Sequence, residues 1–328
     1  PVTAFGVGSR NEVGDRTGFA HLFEHMMFRG TPSFPAPFKT LSDWGGNFNA
    51  YTSFDVTNYF QTVPRHLMKD VFRFESERMR SLQITREGYN TERQAVISER
   101  KLNYEDNPMG RLRFELYQAA YDRHPYKTTP IGWQEDLDAT SFEEALAFYK
   151  RYYAPNRAVM VVVGDFEIEE VLESIDQYYG KFKAEAWQET NIPQEKARIT
   201  LRRKVIPAKS ENVIMLDSVL GLRYGDERLA SEALLCDLLA DGEHGFLTKE
   251  LVQKNYATRV SANCDAGIDP QLSTVSVSAA PGVSVAKIES LYLKALQNFP
   301  AWLTNEKVRR MKNYYLASQY SSLRNPSE

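Results

Sequence analysis

Apolar residues recur at helical spacing near the start of the chain. Phe19, Leu22, Phe23, Met26 and Met27 stand at positions i, i+3, i+4, i+7 and i+8, which places them in one continuous stripe along a helix. A stripe of this kind is typical of the buried side of an amphipathic helix. The segment is therefore predicted to be a helix that packs its apolar face against a core.

A second face of this helix carries ionisable residues in the order HxxEH. At about 100° per residue, Glu24 lies about 60° to one side of His21 and His25 about 40° to the other, so the three side chains project together. Phe28 follows on the same face, to which no lysine or arginine is assigned. Because solvated helix faces usually mix charges of both signs, this face is predicted to do more than contact water.

Two imidazoles and one carboxylate in this order fit zinc chemistry. Histidines at i and i+4 on a helix can bind one ion with bonds of about 2.0 to 2.1 Å. A carboxylate beside the ion can take a proton from zinc-bound water, whose pKa the metal lowers to about 7. The order HxxEH reverses the commoner HExxH and occurs among zinc proteases. The alternative is a partly exposed helix with incidental histidines.

A zinc hydrolase needs a third protein ligand and one open position, and the segment 91–103 offers candidates. Its sequence TERQAVISERKLN is predicted to be a helix with Thr91 as the N-cap. Glu92 and Glu99 are seven residues apart, so they share one helix face, and apolar neighbours indicate that this face points inward. Two inward carboxylates need a cation. The alternative is a solvated helix with glutamates at heptad spacing.

Strands and helices alternate along the rest of the chain. The segment GGNFNAYTSFDVTNYF, residues 45–60, combines a glycine turn with aromatic and β-branched residues and is predicted to form a hairpin. An apolar strand is predicted at 158–166, followed by a helix to about Tyr179. Residues 184–197 are polar and lack periodicity, as linkers do. The strand, turn and helix pattern of 161–179 recurs at 275–296, which indicates a weak internal duplication.

Composition narrows the possible classes. The chain has 328 residues, of which 42% are hydrophobic, enough for a sizeable core and about two domains. No apolar run reaches the about 18 residues of a membrane span. A formal net charge of −3 without long charge blocks argues against a nucleic-acid partner. Cys236 and Cys264 are predicted to be buried thiols and leave the compartment open. Since the N-terminus is predicted to be truncated, localisation stays unknown, with the bacterial periplasm and the cytoplasm both possible.

These motifs together resemble a known family. HLFEH at 21–25, followed by ERQAVISE at 92–99, is similar to the pitrilysin or insulinase family of inverted zinc metallopeptidases. That family includes insulin-degrading enzyme and mitochondrial processing peptidase, and this chain resembles the zinc-bearing subunit of the latter type. Because GSRNE, GGNFNAYTSFDVTNYF, HPY and YYAPNRAVMVVVGDF also match, the resemblance covers most of the chain.

The resemblance implies a role for each matching residue of the catalytic site. His21, His25 and Glu99 would be the protein ligands of one Zn²⁺ ion. Glu24 would be the general base, and Glu92 would be a second carboxylate of the catalytic site, placed behind the ligands.

The resemblance also implies substrate-binding residues. Phe28 would line the pocket for the residue after the cut, with ordinary core packing as the alternative. The strand around Asn49 and Ala50 would hold an extended peptide by β-augmentation, with the Asn49 side chain touching the substrate backbone. For Asn49, a plain role in a turn is the alternative.

The implied fold is of the α+β class. It consists of two similar domains, each a mostly antiparallel sheet with helices packed on one face, which face each other across a peptide chamber. The predicted boundaries are 1–185 for the zinc-binding catalytic domain, 186–198 for the linker and 199–328 for the second domain. The second domain is predicted to be incomplete at its C-terminus, and any targeting segment is predicted to lie upstream of residue 1.

The second domain departs from the family pattern at one place. The family usually supplies an arginine and, seven residues later, a tyrosine that help to stabilise the oxyanion. Here Val252 stands at the arginine position and Thr258 or Arg259 near the tyrosine position, while Tyr256 and Arg259 occur in the reversed order. The expected partner is therefore a homologous subunit that supplies the pair in a heterodimer. The alternative is a homodimer or monomer that uses Tyr256, Arg259 or residues beyond Glu328.

The predicted function is that of a zinc-dependent endopeptidase subunit that hydrolyses peptides or unfolded segments, with zinc-bound water activated by Glu24. The alternative is a zinc-binding, non-hydrolytic subunit that lines a peptide chamber or supports assembly. A purely structural zinc site fits less well, because three ligands are visible where structural sites use four and a carboxylate stands beside them.

Overall fold

The computed structural model describes residues 1–12, 16–186, 189–196, 200–208, 212–240 and 242–322. The chain divides into two compact units. The first unit consists of Pro1–Asn103 and Tyr121–Ala197, and the second consists of Tyr104–Ala120 and Arg198–Glu328. Among the described residues, no helix combines the length and the apolar character needed to cross a membrane.

A four-stranded antiparallel sheet forms the base of the first unit. Its strands are β1 (Val2–Phe5), β2 (Asn47–Thr52), β3 (Thr57–Thr62) and β4 (Ala158–Val161). They lie in the order β2-β3-β1-β4, so β2 is an edge strand. Strands β2 and β3 form the predicted hairpin, in which Ala50 pairs with Tyr59. β4 is shorter than the predicted strand 158–166.

Helices cover the face of this sheet that carries Phe5 and Tyr59. The helices of the first unit are α1 (Phe19–Met26), α2 (Pro37–Asp43), α3 (Met68–Arg80), α4 (Arg86–Arg100), α6 (Gln134–Ala139), α7 (Phe142–Tyr152) and α8 (Ile168–Tyr179), whereas α5 (Pro108–Ala120) belongs to the second unit. The apolar stripe of α1 is buried as predicted. Phe23 stacks on Tyr149 of α7 with ring centroids 5.5 Å apart, and its backbone oxygen accepts the Tyr59 hydroxyl at 3.4 Å.

The second unit repeats this construction on a smaller scale. Its antiparallel strands β5 (Ile214–Leu220), β6 (Ala257–Cys264) and β7 (Leu272–Ala279) lie in the order β5-β7-β6. The helices α9 (Leu229–Ala240), α10 (Val285–Trp302) and α11 (Asn305–Ser322) complete it together with α5. Val277 of β7 and Ile288 of α10 are fully buried in its core. Because β7 and α10 repeat the strand, turn and helix of β4 and α8, the predicted duplication and the α+β class are confirmed.

The segment Tyr104–Ala120 lies in a different unit from the one predicted. The sequence placed it inside 1–185, whereas helix α5 packs against β5 of the second unit. Glu115 of this helix forms an ion pair with Lys204, and the Ala119 carbonyl accepts a hydrogen bond from Arg202 at 3.1 Å. Helical periodicity reveals a helix but not the sheet on which it packs.

The described part of the predicted linker 186–198 is attached to the first unit. The Glu195 carboxylate accepts three consecutive backbone N–H groups, those of Asp122, Arg123 and His124, at 2.9, 3.0 and 3.2 Å. Residues 187–188 and 197–198 of the predicted linker lie outside the described residues. The low hydrophobicity of this segment correctly indicated that residues 189–196 form no helix or strand. It did not reveal that Glu195 anchors the segment to the first unit.

Helix α4 begins earlier than predicted. Its N-cap is Thr85, whose Oγ1 accepts the Gly88 N–H at 3.0 Å, while Thr91 lies inside the helix and donates its hydroxyl to the Glu87 carbonyl at 3.0 Å. The intervening residues have modest helix propensity. Tyr89 is only 2% exposed, so packing of its ring stabilises the first turn.

The prediction of two buried thiols is wrong. Cys236 of α9 and Cys264 of β6 form a disulfide, with Cα atoms 6.2 Å apart. The sequence showed a helical and a strand pattern but not that this helix packs on this strand. Disulfides persist mainly in oxidising compartments.

Reduction of this disulfide is expected to destabilise the second unit by about 3 to 4 kcal/mol, the chain-entropy value for a loop of this length. The bond closes a loop with a sequence separation of 28 residues. Urea unfolding with and without a reductant measures the effect. A chain with both cysteines replaced by alanine is the control, because its midpoint should not respond to the reductant. Equal midpoints for the reduced and oxidised wild-type chain would contradict the expectation.

Candidate active site

The start of helix α1 is held by a buried carboxylate. Glu12 accepts the backbone N–H groups of Gly18 at 2.8 Å and Ala20 at 2.7 Å, and so satisfies donors that have no partner within the helix. Burial raises the pKa of Glu12 to about 8, against the effect of these hydrogen bonds. Gly18 has φ 91°, and a Cβ there would lie 2.8 Å from Leu137. These contacts fix where α1 begins and thus where its polar face points.

Three side chains converge beside α1. Oε2 of Glu99 on α4 lies 3.4 Å from Nε2 of His25 and 3.7 Å from Nε2 of His21. All three candidate ligand atoms lie within 4.8 Å of one another. Atoms that share one zinc ion at about 2.0 to 2.1 Å in a tetrahedral arrangement are separated by about 3.3 to 3.5 Å. The two distances from Glu99 are close to this range, so the three donors could hold a zinc ion and leave a fourth position for water.

The ionisation of these groups reflects their burial and proximity. Burial lowers the pKa of His21 to about 4, against the effect of Glu99. Burial alone would also lower the pKa of His25, but hydrogen bonds to Glu92 and Glu99 outweigh this effect and raise the pKa to about 9. The His25 hydrogen bond in turn lowers the pKa of Glu99. A cation bound beside Glu99 would replace the proton on Nε2 of His25.

Glu92 lies on the opposite side of the His25 ring. Its Oε2 is 3.3 Å from Nδ1 of His25, and its Oε1 is 2.7 Å from Nη2 of Arg29. Although burial acts the other way, His25 and Arg29 lower the pKa of Glu92. A carboxylate on Nδ1 keeps the ring proton there and leaves Nε2 free for a metal. The sequence assigns no lysine or arginine to this face of α1, yet Arg29, which follows the end of the helix, lies beside Glu92.

Glu24 projects from the same face of α1 and contacts the edge strand. Its Oε2 accepts the hydroxyl of Thr52, the last residue of β2, at 2.7 Å. Burial raises the pKa of Glu24, and the hydrogen bond from Thr52 opposes this effect. The side chain is therefore held beside His25 in an environment that favours exchange of a proton.

The predicted substrate-binding residues lie at two neighbouring places. Phe28 is part of an aromatic cluster, with ring centroids 5.0 Å from Phe38 and 6.3 Å from Phe48. Asn49 and Ala50 lie on the edge strand β2, where the Asn49 side chain accepts the Ala50 N–H at 2.9 Å. A peptide that pairs with this edge at Ala50 has to replace that hydrogen bond.

The residues at the family's arginine and tyrosine positions have other surroundings. Val252 and Tyr256 pack against the core of the second unit, and Arg259 is exposed on β6, where it pairs with Ser278 of β7. Of the reversed pair, Tyr256 therefore contributes to core packing, and Arg259 lies on the exposed surface of a strand.

Comparison with known proteins identifies the family. Residues 3–132 match the family described as Insulinase (Peptidase family M16), and residues 140–315 match the Peptidase M16 inactive domain. The chain belongs to peptidase family M16. This confirms the resemblance to the pitrilysin and insulinase family that the motifs indicated.

Curated relatives of this M16 chain are named proteases. It is 34% identical over 261 residues to the zinc protease PqqE of Helicobacter pylori. This alignment covers 76% of this chain and 57% of the relative. It is also 27% identical over 184 residues to the probable mitochondrial-processing peptidase subunit beta of Schizosaccharomyces pombe. That alignment covers 55% of this chain and 40% of the relative. The chain thus spans about half the length of these relatives.

Solved structures agree on the M16 fold. A crystal structure of a protease from Helicobacter pylori has a TM-score of 0.92 at 26% identity and covers 99% of this chain and 80% of that one. The crystal structure of the periplasmic protease PqqL from Escherichia coli has a TM-score of 0.78 at 21% identity and covers 98% of this chain and 37% of that one. At this identity the similarity supports the fold alone.

Proposed function

We propose that this M16 chain is a zinc-dependent endopeptidase subunit that hydrolyses peptides or unfolded segments. The observation that carries the proposal is the convergence of His21, His25 and Glu99, with the Glu24 carboxylate on the same helix face. These three residues would hold one zinc ion, and Glu24 would be the general base. The names of the relatives, zinc protease PqqE and probable zinc protease PqqL, support peptidase activity.

A bound zinc ion would supply Lewis acidity, which lowers the pKa of water and polarises a carbonyl group. The chain supplies the proton transfers. Glu24 takes a proton from the attacking water and returns it to the leaving amine. Glu92, anchored by Arg29, keeps the proton of His25 on Nδ1. Glu12 fixes the N-terminus of α1, which carries both histidines and the base.

The proposed substrate is a peptide in an extended conformation. Strand β2 presents an unpaired edge, and a peptide can extend the sheet there by backbone hydrogen bonds around Asn49 and Ala50. The exposed ring of Phe38 and the partly exposed rings of Phe28 and Phe48 would receive an apolar side chain of the substrate. Specificity would therefore rest on aromatic contacts and not on charge.

Metal removal and restoration test the proposed function. The purified chain is stripped with a chelator, loaded with zinc and incubated with a peptide library, and cleavage is followed by mass spectrometry. We expect one zinc ion per chain, hydrolysis that returns with zinc, and loss of hydrolysis in the chelator. A chain that binds one zinc ion yet cleaves no peptide, alone or with a homologous partner, would favour the non-hydrolytic chamber subunit instead.

We also propose a heterodimer. A homologous chain without HxxEH would contribute the arginine that this sequence lacks at Val252 and the tyrosine that it lacks at Thr258 or Arg259. A positioned oxyanion donor is worth about a hundredfold or more in turnover, so addition of this partner should raise the rate by about that factor. One relative is itself named a subunit, which supports the idea. Full activity of the isolated chain, unchanged by the partner in a titration, would contradict it.

A further inference from the structure

Thr52 connects the proposed general base to the sheet. Its hydroxyl oxygen lies 2.7 Å from Oε2 of Glu24 and 3.4 Å from Oγ1 of Thr57. Thr57 is fully buried and donates its own proton to the Val7 carbonyl at 2.9 Å. Because Thr57 has no proton left for Thr52, it can only accept. The single hydroxyl proton of Thr52 therefore has two possible acceptors, and Glu24 is the nearer one.

The position of Thr52 is fixed by the hairpin. Thr52 and Thr57 pair directly across β2 and β3, and the intervening turn is closed by the Ser53 N–H, which donates to the Val56 carbonyl at 2.8 Å. Asp55 in this turn is anchored by the Tyr126 hydroxyl, which lies 2.6 and 2.8 Å from its two carboxylate oxygens. A β-branched side chain on such a frame has little rotational freedom.

We propose that Thr52 is a positioning residue for the reaction. Its hydroxyl holds Oε2 of Glu24 and so presents the other oxygen, Oε1, to the attacking water. The oxygen of water bonds to the carbonyl carbon as its proton moves to Oε1. The C–N bond then breaks, and Oε1 passes that proton to the leaving amine nitrogen, while Oε2 keeps its hydrogen bond to Thr52. This inference rests on the proposed function of Glu24 and adds a residue to it.

The kinetic test compares Thr52→Val with Thr52→Ser in the zinc-loaded chain. Valine keeps the shape of threonine but removes the hydroxyl donor, so the Glu24 carboxylate is free to turn. The value of kcat should fall by about ten- to a hundredfold, which is part of the full effect of a general base. KM should change by less than about twofold, because this hydroxyl contacts Glu24 and not the outer edge of β2. Serine restores the donor and should recover kcat to within about threefold.

The chain provides a matched control for this exchange. The Thr31 hydroxyl donates to Oε2 of Glu77 at 2.8 Å in the same unit and accepts the Phe34 N–H at 3.2 Å. Thr31→Val therefore removes a hydrogen bond of the same kind elsewhere, together with one from the backbone, and is the more severe change. Its kcat should remain that of the wild type even though stability falls. An equal loss of kcat in Thr31→Val and Thr52→Val would overturn the positioning role, because the loss would then report general damage.

A second measurement needs no catalysis. In the metal-free chain, the unfolding equilibrium constants of Thr52→Val, Glu24→Ala and the double variant form a thermodynamic cycle. A hydrogen bond to a charged group predicts a coupling of about tenfold or more between the two changes. Additive effects would overturn the inference, since the two side chains would then not interact.

The outcomes separate the inference from the function on which it rests. If the wild-type chain hydrolyses peptides and Glu24→Gln does not, while Thr52→Val retains full kcat, the positioning role fails and the proposed function stands. If the zinc-loaded wild-type chain cleaves no peptide even with its partner, the proposed function fails and the inference fails with it.

Discussion

Replacement of Glu24 by glutamine is expected to leave zinc bound and to lower turnover by at least about a hundredfold. Glutamine has nearly the same shape and can still accept the Thr52 hydroxyl, which lies 2.7 Å from Oε2 of Glu24. It cannot take a proton from water at neutral pH. The change therefore removes the base without removing a proposed ligand. The measurements are zinc content by mass spectrometry and kcat on a peptide cleaved by the wild-type chain.

Glu77→Gln is the matched control for this prediction. Glu77 also accepts a threonine hydroxyl and, in addition, the Ser33 N–H at 3.0 Å, outside the proposed metal ligands. Its replacement should cost stability and leave kcat unchanged. A Glu24→Gln chain with bound zinc and full activity would remove Glu24 from the mechanism. Loss of zinc from that chain would instead move Glu24 among the ligands.

Helix α1 could be predicted because both of its faces lie in one short segment. The period of the apolar residues identified the buried side, and the remaining angles brought His21, Glu24 and His25 together. Glu99 is different, because its approach to His25 depends on how α4 packs against α1. Periodicity could place Glu99 on an inward face, but only the family resemblance joined it to the histidines.

The residues missed by the sequence analysis depend on contacts between elements. Alternation along β2 places Thr52 on the same side as the buried Ala50, yet nothing in the strand indicates that Glu24 is opposite. Arg29 was missed because α1 ends at Met26, so the chain beyond the helix, and not helical spacing, brings Arg29 beside Glu92. The disulfide was missed for the same reason. Cys236 and Cys264 lie in a helix and a strand, and the periodicity of each element does not show that the two pack together.

Glu99→Gln is expected to weaken zinc binding far more than Glu92→Gln. Glu99 lies near Nε2 of both histidines, at 3.4 and 3.7 Å, whereas Glu92 contacts Nδ1 of His25 at 3.3 Å. An imidazole that binds a metal through Nε2 turns Nδ1 away from it, so Glu92 can act only through the ring. Loss of such an indirect partner typically costs about ten- to a hundredfold in affinity, and loss of a direct ligand should cost more.

Competition with a chromophoric chelator measures the order of these two effects. Glu87→Gln is the control, because Glu87 is on the same helix, α4, but twelve residues before Glu99, which is about 18 Å along the axis. Its zinc affinity should equal that of the wild type. If Glu92→Gln proved the more damaging change, the two carboxylates would exchange roles, and Arg29 would then have to be treated as a neighbour of the metal ligand itself. Equal losses would indicate that both carboxylates bind the ion, which would leave no open position for water and would contradict the proposed peptidase.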